Sequence, residues 1–284
     1  MAAGAGERMS VLLTLVWCLT GAVAGWGITS VRAAMDMSRA RDLMRREIRA
    51  WQEEFPLTYN QVEGGALKPQ YVLEQLRDMS PDDTIVASGV GQHQMWAAQM
   101  FDFCGPRLWL TSGSMGTMGF GLPAAIGAQV ARPGRLVIDF DGDASIRMNI
   151  GELETVTTYD LPIKVVVLNN FGDGMVKQWQ KLFFKGRLSG SDKSLHKKDF
   201  VRAASADGFK WARRLDRKQD VAAVIEEFLS FKGPAFLEVI IDPDAGVYPM
   251  VGPGLGYDAM ITGEFIAARV QGAAPGDIDP SSMF

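Results

Sequence analysis

Two polar positions in this sequence could together hold a divalent cation. Asp143 and Asn170 each follow an apolar, strand-like run, and 27 residues separate them. That interval accommodates one helix, so the two strand ends lie side by side if the strands are parallel neighbours. The Asp143 carboxylate, the Asn170 amide oxygen and a backbone carbonyl near Gly172 suit magnesium, whose other positions phosphate oxygens and water can fill. Spacing alone leaves a metal-held diphosphate and a purely structural pair of turns as alternatives.

Other chemistries compete for the same loops. A glycine-rich loop includes Gly119, and Asp139 follows it by 20 residues, as in dinucleotide-binding domains, but the loop reads GxxGxxGxG rather than GxGxxG. Asp139 and Asp141 also have the spacing of a phosphatase of the haloacid-dehalogenase type, which requires a hydroxyl residue where Asp143 stands. A calcium loop beginning at Asp139 fails, because its twelfth position is Ile150 instead of glutamate.

Strands and helices must alternate to position these loops. Strands are predicted over Thr84–Ala87, Leu108–Leu110, Leu136–Phe140, Ile163–Leu168 and Ala235–Ile241. Helices are predicted over Pro69–Met79, Gln92–Phe101, Gly121–Ala131, Asn149–Tyr159, Phe200–Asp207 and Val221–Phe231. Continuous apolar strands separated by helices indicate an α/β fold, a doubly wound parallel sheet with helices on both faces. Ligands in such folds bind beyond the carboxyl ends of the strands, where the polar loops lie.

Composition narrows the class of protein. The 284 residues include 29 Lys and Arg against 33 Asp and Glu, and the net charge of −4 excludes a strongly basic nucleic-acid-binding protein. Two cysteines provide no disulfide framework. Residues 9–31 contain no charged side chain. This run fits a signal peptide, a membrane anchor or a segment that is not native to the fold.

Several long motifs resemble one enzyme family. The sequence GDAS at 142–145, followed by NN at 169–170, resembles the thiamine-diphosphate motif of pyruvate decarboxylases and transketolases. VGQHQMW at 90–96, TSGSMGTMGFGLPAAIGAQVA at 111–131 and GMVKQWQ at 174–180 resemble the catalytic subunit of acetolactate synthase, particularly its eukaryotic branch. The resemblance covers roughly residues 40–265 and corresponds to the carboxyl-terminal domain of that family.

The resemblance implies a role for each matching residue. Thiamine diphosphate would be bound by Val90, Gln92, His93, Gly116, Met118, Gly142, Ala144, Ser145 and Met175, and magnesium by Asp143, Asn170 and Gly172. Met118 would bend the cofactor into a V. Met175 and Trp179 would lie over its reactive face and help select the second 2-oxo acid. Without the resemblance, Met118 is interpreted as core, His93 as a surface imidazole and Trp179 as part of the apolar stripe of a helix.

The implied organisation has four segments. They are an apolar N-terminal segment at 1–36, a helical linker at 37–66, a thiamine-diphosphate and magnesium domain at 67–265 and a C-terminal tail at 266–284. The resemblance, strongest to the eukaryotic branch, implies a mitochondrion or a plastid as the compartment, and the N-terminal segment leaves a signal peptide or a membrane anchor as alternatives.

The implied reaction joins two 2-oxo acids. Pyruvate is decarboxylated and condensed with a second pyruvate, giving 2-acetolactate, or with 2-oxobutyrate, in the biosynthesis of isoleucine, valine and leucine. The glutamate that activates the cofactor belongs to a pyrimidine-binding domain that this sequence does not match, and the FAD-binding domain is likewise unmatched, which leaves FAD in doubt. We therefore expect a homodimer or a partner chain that supplies the glutamate, and a regulatory small subunit could also bind. A non-catalytic cofactor-binding fragment is the alternative, and an NAD-binding domain a weaker one.

Overall fold

The computed structural model describes residues 37–256 and 260–262. These residues divide between two compact units, one ending at Thr58 and the other beginning at Tyr59. The apolar N-terminal segment and the C-terminal tail predicted from the sequence lie outside the described residues.

In the first unit, residues 37–54 form helix α1. Met44, Ile48 and Trp51 recur at helical spacing along it, and all three side chains are exposed. Over the residues that the structure describes, none of the helices has the length and apolar character needed to cross a membrane.

The second unit is built on a six-stranded parallel sheet. Its strands are β1 (Ile85–Ser88), β2 (Trp109–Thr111), β3 (Val137–Gly142), β4 (Lys164–Asn169), β5 (Trp211–Leu215) and β6 (Ala235–Ile240). They are arranged in the order β2-β1-β3-β4-β6-β5, and every pairing is parallel. This arrangement confirms the predicted doubly wound sheet. The order in which the strands are added reverses between β1 and β3. A ligand is therefore expected to bind beyond the carboxyl ends of these two strands.

Seven helices of the second unit surround the sheet in the described residues. They are α2 (Pro69–Asp78), α3 (Gln92–Met100), α4 (Gly121–Ala131), α5 (Glu152–Thr158), α6 (Gly174–Phe183), α7 (Phe200–Ala206) and α8 (Val221–Ser230). Two buried apolar clusters show that both faces of the sheet are covered. One cluster joins α2, α3 and α8 to Val166 and Leu168 of β4, and the other joins α4, α5 and α7 to Val165 and Val167. Alternate residues of β4 therefore face opposite layers, which is why its sequence is continuously apolar.

The structure adds an edge strand that the sequence analysis did not predict. β5 pairs with β6 at the end of the sheet, and two adjacent arginines interrupt its apolar pattern. Arg213 lies 2.6 Å from Glu227, and Arg214 lies 2.8 Å from the buried carboxylate of Glu238. An edge strand has only one strand neighbour, so charged side chains there can reach partners and solvent.

Helix α4 begins where three segments meet closely. A methyl group added at Gly121 would lie 2.9 Å from the Ser88 carbonyl carbon, and closer still to the Gly89 nitrogen and the Asp139 carboxylate.

We expect Gly121→Ala to lower the free energy of unfolding by about 1–3 kcal/mol, as overpacking of a protein core does. Gly127→Ala in the same helix is the control, because nothing lies within 4 Å of that position. It should raise stability by up to about 1 kcal/mol through helix propensity. Urea unfolding of both variants tests the contrast, and equal effects would contradict it.

Candidate metal and diphosphate site

Three loops meet at the carboxyl edge of the sheet. They follow β1, β3 and β4, which are consecutive in the sheet, and they lead towards α3, a short 3-10 turn and α6. The loops line one cavity. Of the thirteen site residues predicted from the sequence, eleven lie in its wall: Val90, Gln92, His93, Met118, Gly142, Asp143, Ala144, Ser145, Asn170, Gly172 and Met175. The parallel register therefore gathers residues that are up to 85 positions apart in the chain.

Two predicted residues lie outside this wall. Gly116 has a φ of +63°, and a methyl group there would lie 3.7 Å from the Val90 side chain, so it adjoins the wall. Trp179 is half-buried, and its ring meets Phe183 edge-on at 5.2 Å. Its position over the reactive face stays a prediction from the resemblance.

The wall also contains residues that the sequence analysis did not select. Trp96, Asp173 and Val176 are examples. Trp96 lies four residues after Gln92 on α3, a spacing that places both side chains on one helix face. That spacing is a signal from which Trp96 could have been identified. Asp173 directly precedes α6, at the position where acids commonly cap helices.

Three acceptor oxygens converge at the ends of β3 and β4. The Asn170 Oδ1 lies 3.3 Å from the Asp143 Oδ1 and 3.0 Å from the Gly172 carbonyl oxygen. Oxygens this close repel one another unless a cation lies between them. Magnesium binds oxygens at about 2.0–2.1 Å in octahedral geometry, which places adjacent ligands roughly 3.0 Å apart. The three predicted ligands therefore fit magnesium in both chemistry and spacing.

The orientation of the Asn170 amide supports this interpretation. Its Nδ2 donates a 2.9 Å hydrogen bond to the Gln92 Oε1. Turning the amide over would bring its NH2 group towards Asp143 and Gly172, but would place its oxygen against the Gln92 oxygen. The observed orientation keeps the hydrogen bond to Gln92 and leaves Oδ1 for a cation.

Asp143 lies in a buried position with cations nearby. Asp143 is 2% exposed, and burial raises the pKa of its carboxyl to about 7. The positive charges of Arg147 and Lys193 act to lower this pKa. The Arg147 Nε donates to the Asp143 backbone carbonyl at 2.9 Å. A carboxylate that is costly to ionise gains from a bound cation, which stabilises its charged form.

Magnesium affinity should consequently fall as the pH falls. A metal ligand must be deprotonated, and the Asp143 carboxyl, with its pKa raised to about 7, takes up a proton below neutral pH. We expect the apparent affinity for magnesium with thiamine diphosphate to decrease about tenfold between pH 8 and pH 6. Calorimetric titrations at the two pH values measure this change. An affinity independent of pH over that range would contradict the prediction.

Ser145 joins the loops of the site to one another. Its Oγ accepts hydrogen bonds from the backbone N–H groups of Gly119 at 2.9 Å and Val90 at 3.3 Å, and its hydroxyl donates to Asp141. Ser145 is 1% exposed, so these hydrogen bonds are buried next to the cavity. Its part in diphosphate binding stays a prediction.

His93 is buried and neutral. Burial lowers the pKa of its imidazole to about 3, and its Nε2 lies 3.6 Å from the Asp141 Oδ1. The ring lies against Gly142, where an added methyl group would come 2.6 Å from Nδ1. Glycine is thus required at the end of β3 for His93 to lie in the wall. The surface position considered for His93 in the sequence analysis is wrong, because the side chain is 4% exposed.

The dinucleotide-binding and phosphatase interpretations both need an accessible carboxylate at Asp139 or Asp141. Asp139 and Asp141 are both fully buried, and neither lines the cavity. Burial raises the pKa of each carboxyl above its usual range. A ribose-binding acid or a phosphatase nucleophile must reach its ligand, so neither role fits these residues.

Comparison with known proteins identifies the family of the domain. Residues 89–239 match the family described as thiamine pyrophosphate enzyme, C-terminal TPP binding domain. The chain is 45% identical over 219 residues to the mitochondrial acetolactate synthase catalytic subunit of Saccharomyces cerevisiae, covering 76% of this chain and 31% of the relative. It is 45% identical over 217 residues to the acetolactate synthase large subunit of Parasynechococcus marenigrum, covering 75% and 34%. It is 40% identical over 224 residues to the chloroplastic acetolactate synthase 2 of Nicotiana tabacum, covering 77% and 33%. The chain therefore spans about a third of the length of these curated relatives.

Proposed function

Given that this chain belongs to the thiamine pyrophosphate enzymes through their C-terminal TPP binding domain, we propose that it forms the diphosphate- and magnesium-binding part of an acetolactate synthase. The reaction is the condensation of two 2-oxo acids, pyruvate with pyruvate or with 2-oxobutyrate. The observation that carries the proposal is the convergence of oxygens from Asp143, Asn170 and Gly172 at 3.0 and 3.3 Å. Those three oxygens need a cation, and the cation in turn would hold a diphosphate.

Each part of the cavity has a task in this proposal. Asp143, Asn170 and Gly172 hold magnesium. Met118, from the loop between β2 and α4, and Met175, from the first turn of α6, provide apolar parts of the wall. When bound, thiamine diphosphate supplies the nucleophilic carbon and the electron sink for decarboxylation. The protein orients it and excludes water. We assign no FAD to this chain, because the resemblance places FAD binding on an unmatched domain.

The proposal includes a partner that contributes an acid. The acids in the described wall of the cavity are Asp143 and Asp173. Asp143 is assigned to the metal, and Asp173 forms an ion pair with Lys193. A partner chain would therefore provide the activating glutamate. Relatives named mitochondrial or chloroplastic favour an organelle as the compartment.

Thermal unfolding of the full chain tests the proposal. Thiamine diphosphate with magnesium should stabilise the protein, by about 2.7 kcal/mol at a ligand concentration 100 times the dissociation constant. Either component alone should have little effect, because the diphosphate is held through the metal. NAD without magnesium serves as the control. Stabilisation by NAD, or no response to the cofactor with magnesium, would overturn the assignment.

A further inference from the structure

A segment that follows β6 is attached to one face of α3. We call residues 245–250 the C-terminal strap. Gln92, Trp96 and Gln99 share a helix face and donate side-chain hydrogen bonds to three strap carbonyls, at 3.1, 3.3 and 3.1 Å. The spacing of these donors, four and three residues, is that of one face of a helix. The strap thus lies along the helix whose first residue lines the cavity.

Gln178 of α6 binds the strap from a second direction. Its Nε2 donates to the Val247 carbonyl at 2.9 Å, and its Oε1 accepts from the Val247 N–H at 2.9 Å. A backbone N–H and a backbone C=O cannot exchange places. The pair with Val247 therefore fixes which end of the Gln178 amide is oxygen.

The orientation of the Gln178 amide is related through Gln92 to the orientation of the Asn170 amide. The Gln178 Oε1 accepts from the Gln92 Nε2 at 2.8 Å, and the Gln92 Oε1 accepts from the Asn170 Nδ2 at 2.9 Å. All three amides are buried, with 3–6% exposure, so an unpaired or reversed amide would be costly. The Gln92 Nε2 is directed towards two acceptors, the Gln178 Oε1 and the Ala245 carbonyl of the strap, so its Oε1 is left to accept from Asn170. The sequence of bonds ends with the Asn170 Oδ1 directed at Asp143 and Gly172.

The space around these amides permits little adjustment. A methyl group added at Gly174, the first residue of α6, would lie 2.9 Å from the Gln92 Cδ and closer still to its Oε1. Gln92 is thus confined between α6 and Asn170. The confinement prevents it from turning independently of Gln178.

We propose that Gln178 is a positioning residue that orients the Asn170 oxygen towards the cation, and that the C-terminal strap thereby sets the metal affinity of the site. This inference rests on the proposed function, since it concerns the same cation. It goes further by making metal affinity depend on a segment that contains no metal ligand. Displacing the strap would release Gln178, then Gln92, and finally the orientation of Asn170.

The test is a titration of the full chain with Mn²⁺ in the presence of thiamine diphosphate, with free Mn²⁺ followed by electron paramagnetic resonance. Gln178→Leu removes one of the two acceptors of the Gln92 Nε2, and it also removes the hydrogen bonds to Val247 that hold the strap, whose Ala245 carbonyl is the second acceptor. We expect it to weaken Mn²⁺ binding about 10- to 100-fold, the range for residues that orient a metal ligand. Gln178→Glu, whose buried carboxyl is protonated, keeps an acceptor towards Gln92 and a donor towards the Val247 carbonyl, and should bind Mn²⁺ about as tightly as the wild type.

Gln99→Leu is the matched control. It removes one side-chain hydrogen bond to the strap, at the Tyr248 carbonyl, whereas Gln178→Leu removes two at Val247, and Gln99 makes no hydrogen bond to the amides that lead to Asn170. If the strap bonds act only through the stability of the strap, both Gln178→Leu and Gln99→Leu should lower Mn²⁺ affinity. The proposal instead predicts a loss of Mn²⁺ affinity in Gln178→Leu alone, with both variants shown to be folded by circular dichroism.

The outcomes separate the inference from the proposed function. Failure of the wild type to bind Mn²⁺ with the cofactor would overturn the proposed function itself. Normal wild-type binding with no loss in Gln178→Leu would overturn only the role of Gln178. A loss of about 10-fold or more in Gln178→Glu would also overturn it, and that result can be read without the leucine variant if the leucine variant does not fold.

Discussion

Replacing Asp143 with alanine should abolish the magnesium-dependent binding of thiamine diphosphate. Asp143 is the charged member of the three converging oxygens, and its loss leaves an amide and a carbonyl that cannot neutralise the cation. We expect the affinity to fall by more than the roughly 10- to 100-fold that a residue supporting a metal ligand contributes. Isothermal titration of the full chain with the cofactor and magnesium measures the loss.

Protein stability distinguishes this loss from unfolding. The pKa of the Asp143 carboxyl is raised to about 7 in the folded chain, above the ordinary value of 3.8. The folded state therefore binds more protons than the unfolded state between those values, and this group lowers stability as the pH rises through them. At pH 8 without metal, Asp143→Ala should be at least as stable as the wild type. Asp102→Ala, at an exposed position, is the control and should bind normally. Unchanged binding in Asp143→Ala would overturn the metal assignment.

The two side chains predicted from the sequence to bind the metal both follow strands. Asp143 and Asn170 come directly after β3 and β4, and these strands are hydrogen-bonded neighbours. Because parallel strands end at one edge, local sequence pattern was sufficient to bring the two side chains together. Helix α4 was predicted with its observed bounds, since Gly121 and Ala131 limit an apolar helical run between two loops.

Other features depend on contacts that sequence spacing does not show. β5 was missed because Arg213 and Arg214 satisfy their charges through Glu227 and Glu238, which lie in other elements. The contribution of Gln178 was missed for the same reason. Its partner is 69 residues away, in a segment without regular secondary structure. Gln178 lies four residues after the first residue of α6, and nothing in that position indicates a role until its hydrogen bonds are known.

This chain alone should form no detectable acetolactate from pyruvate, even with saturating thiamine diphosphate and magnesium. Activation of the cofactor requires a positioned acid, and general acid–base catalysis of that kind contributes about 100- to 10,000-fold. In the described wall of the cavity the acids are Asp143 and Asp173, one assigned to the metal and the other paired with Lys193. Neither is available to act on the cofactor ring. An acid supplied by another polypeptide should therefore restore turnover.

A mixing experiment decides between an enzyme part and a non-catalytic domain. The chain is assayed by itself and with a polypeptide carrying the portion of the Saccharomyces cerevisiae relative that this chain does not match, which is the larger part of that protein. Turnover only in the mixture would support the proposed function, and the same mixture made with Asp143→Ala should be inactive because the metal is lost.

Turnover by the chain alone would contradict the prediction and point to Asp173 as the acid, since it is the remaining carboxylate in the described wall. Inactivity in both assays, with the cofactor bound, would contradict the enzyme assignment. The domain would then hold the cofactor without turning it over, because binding needs only the three converging oxygens whereas catalysis also needs the acid.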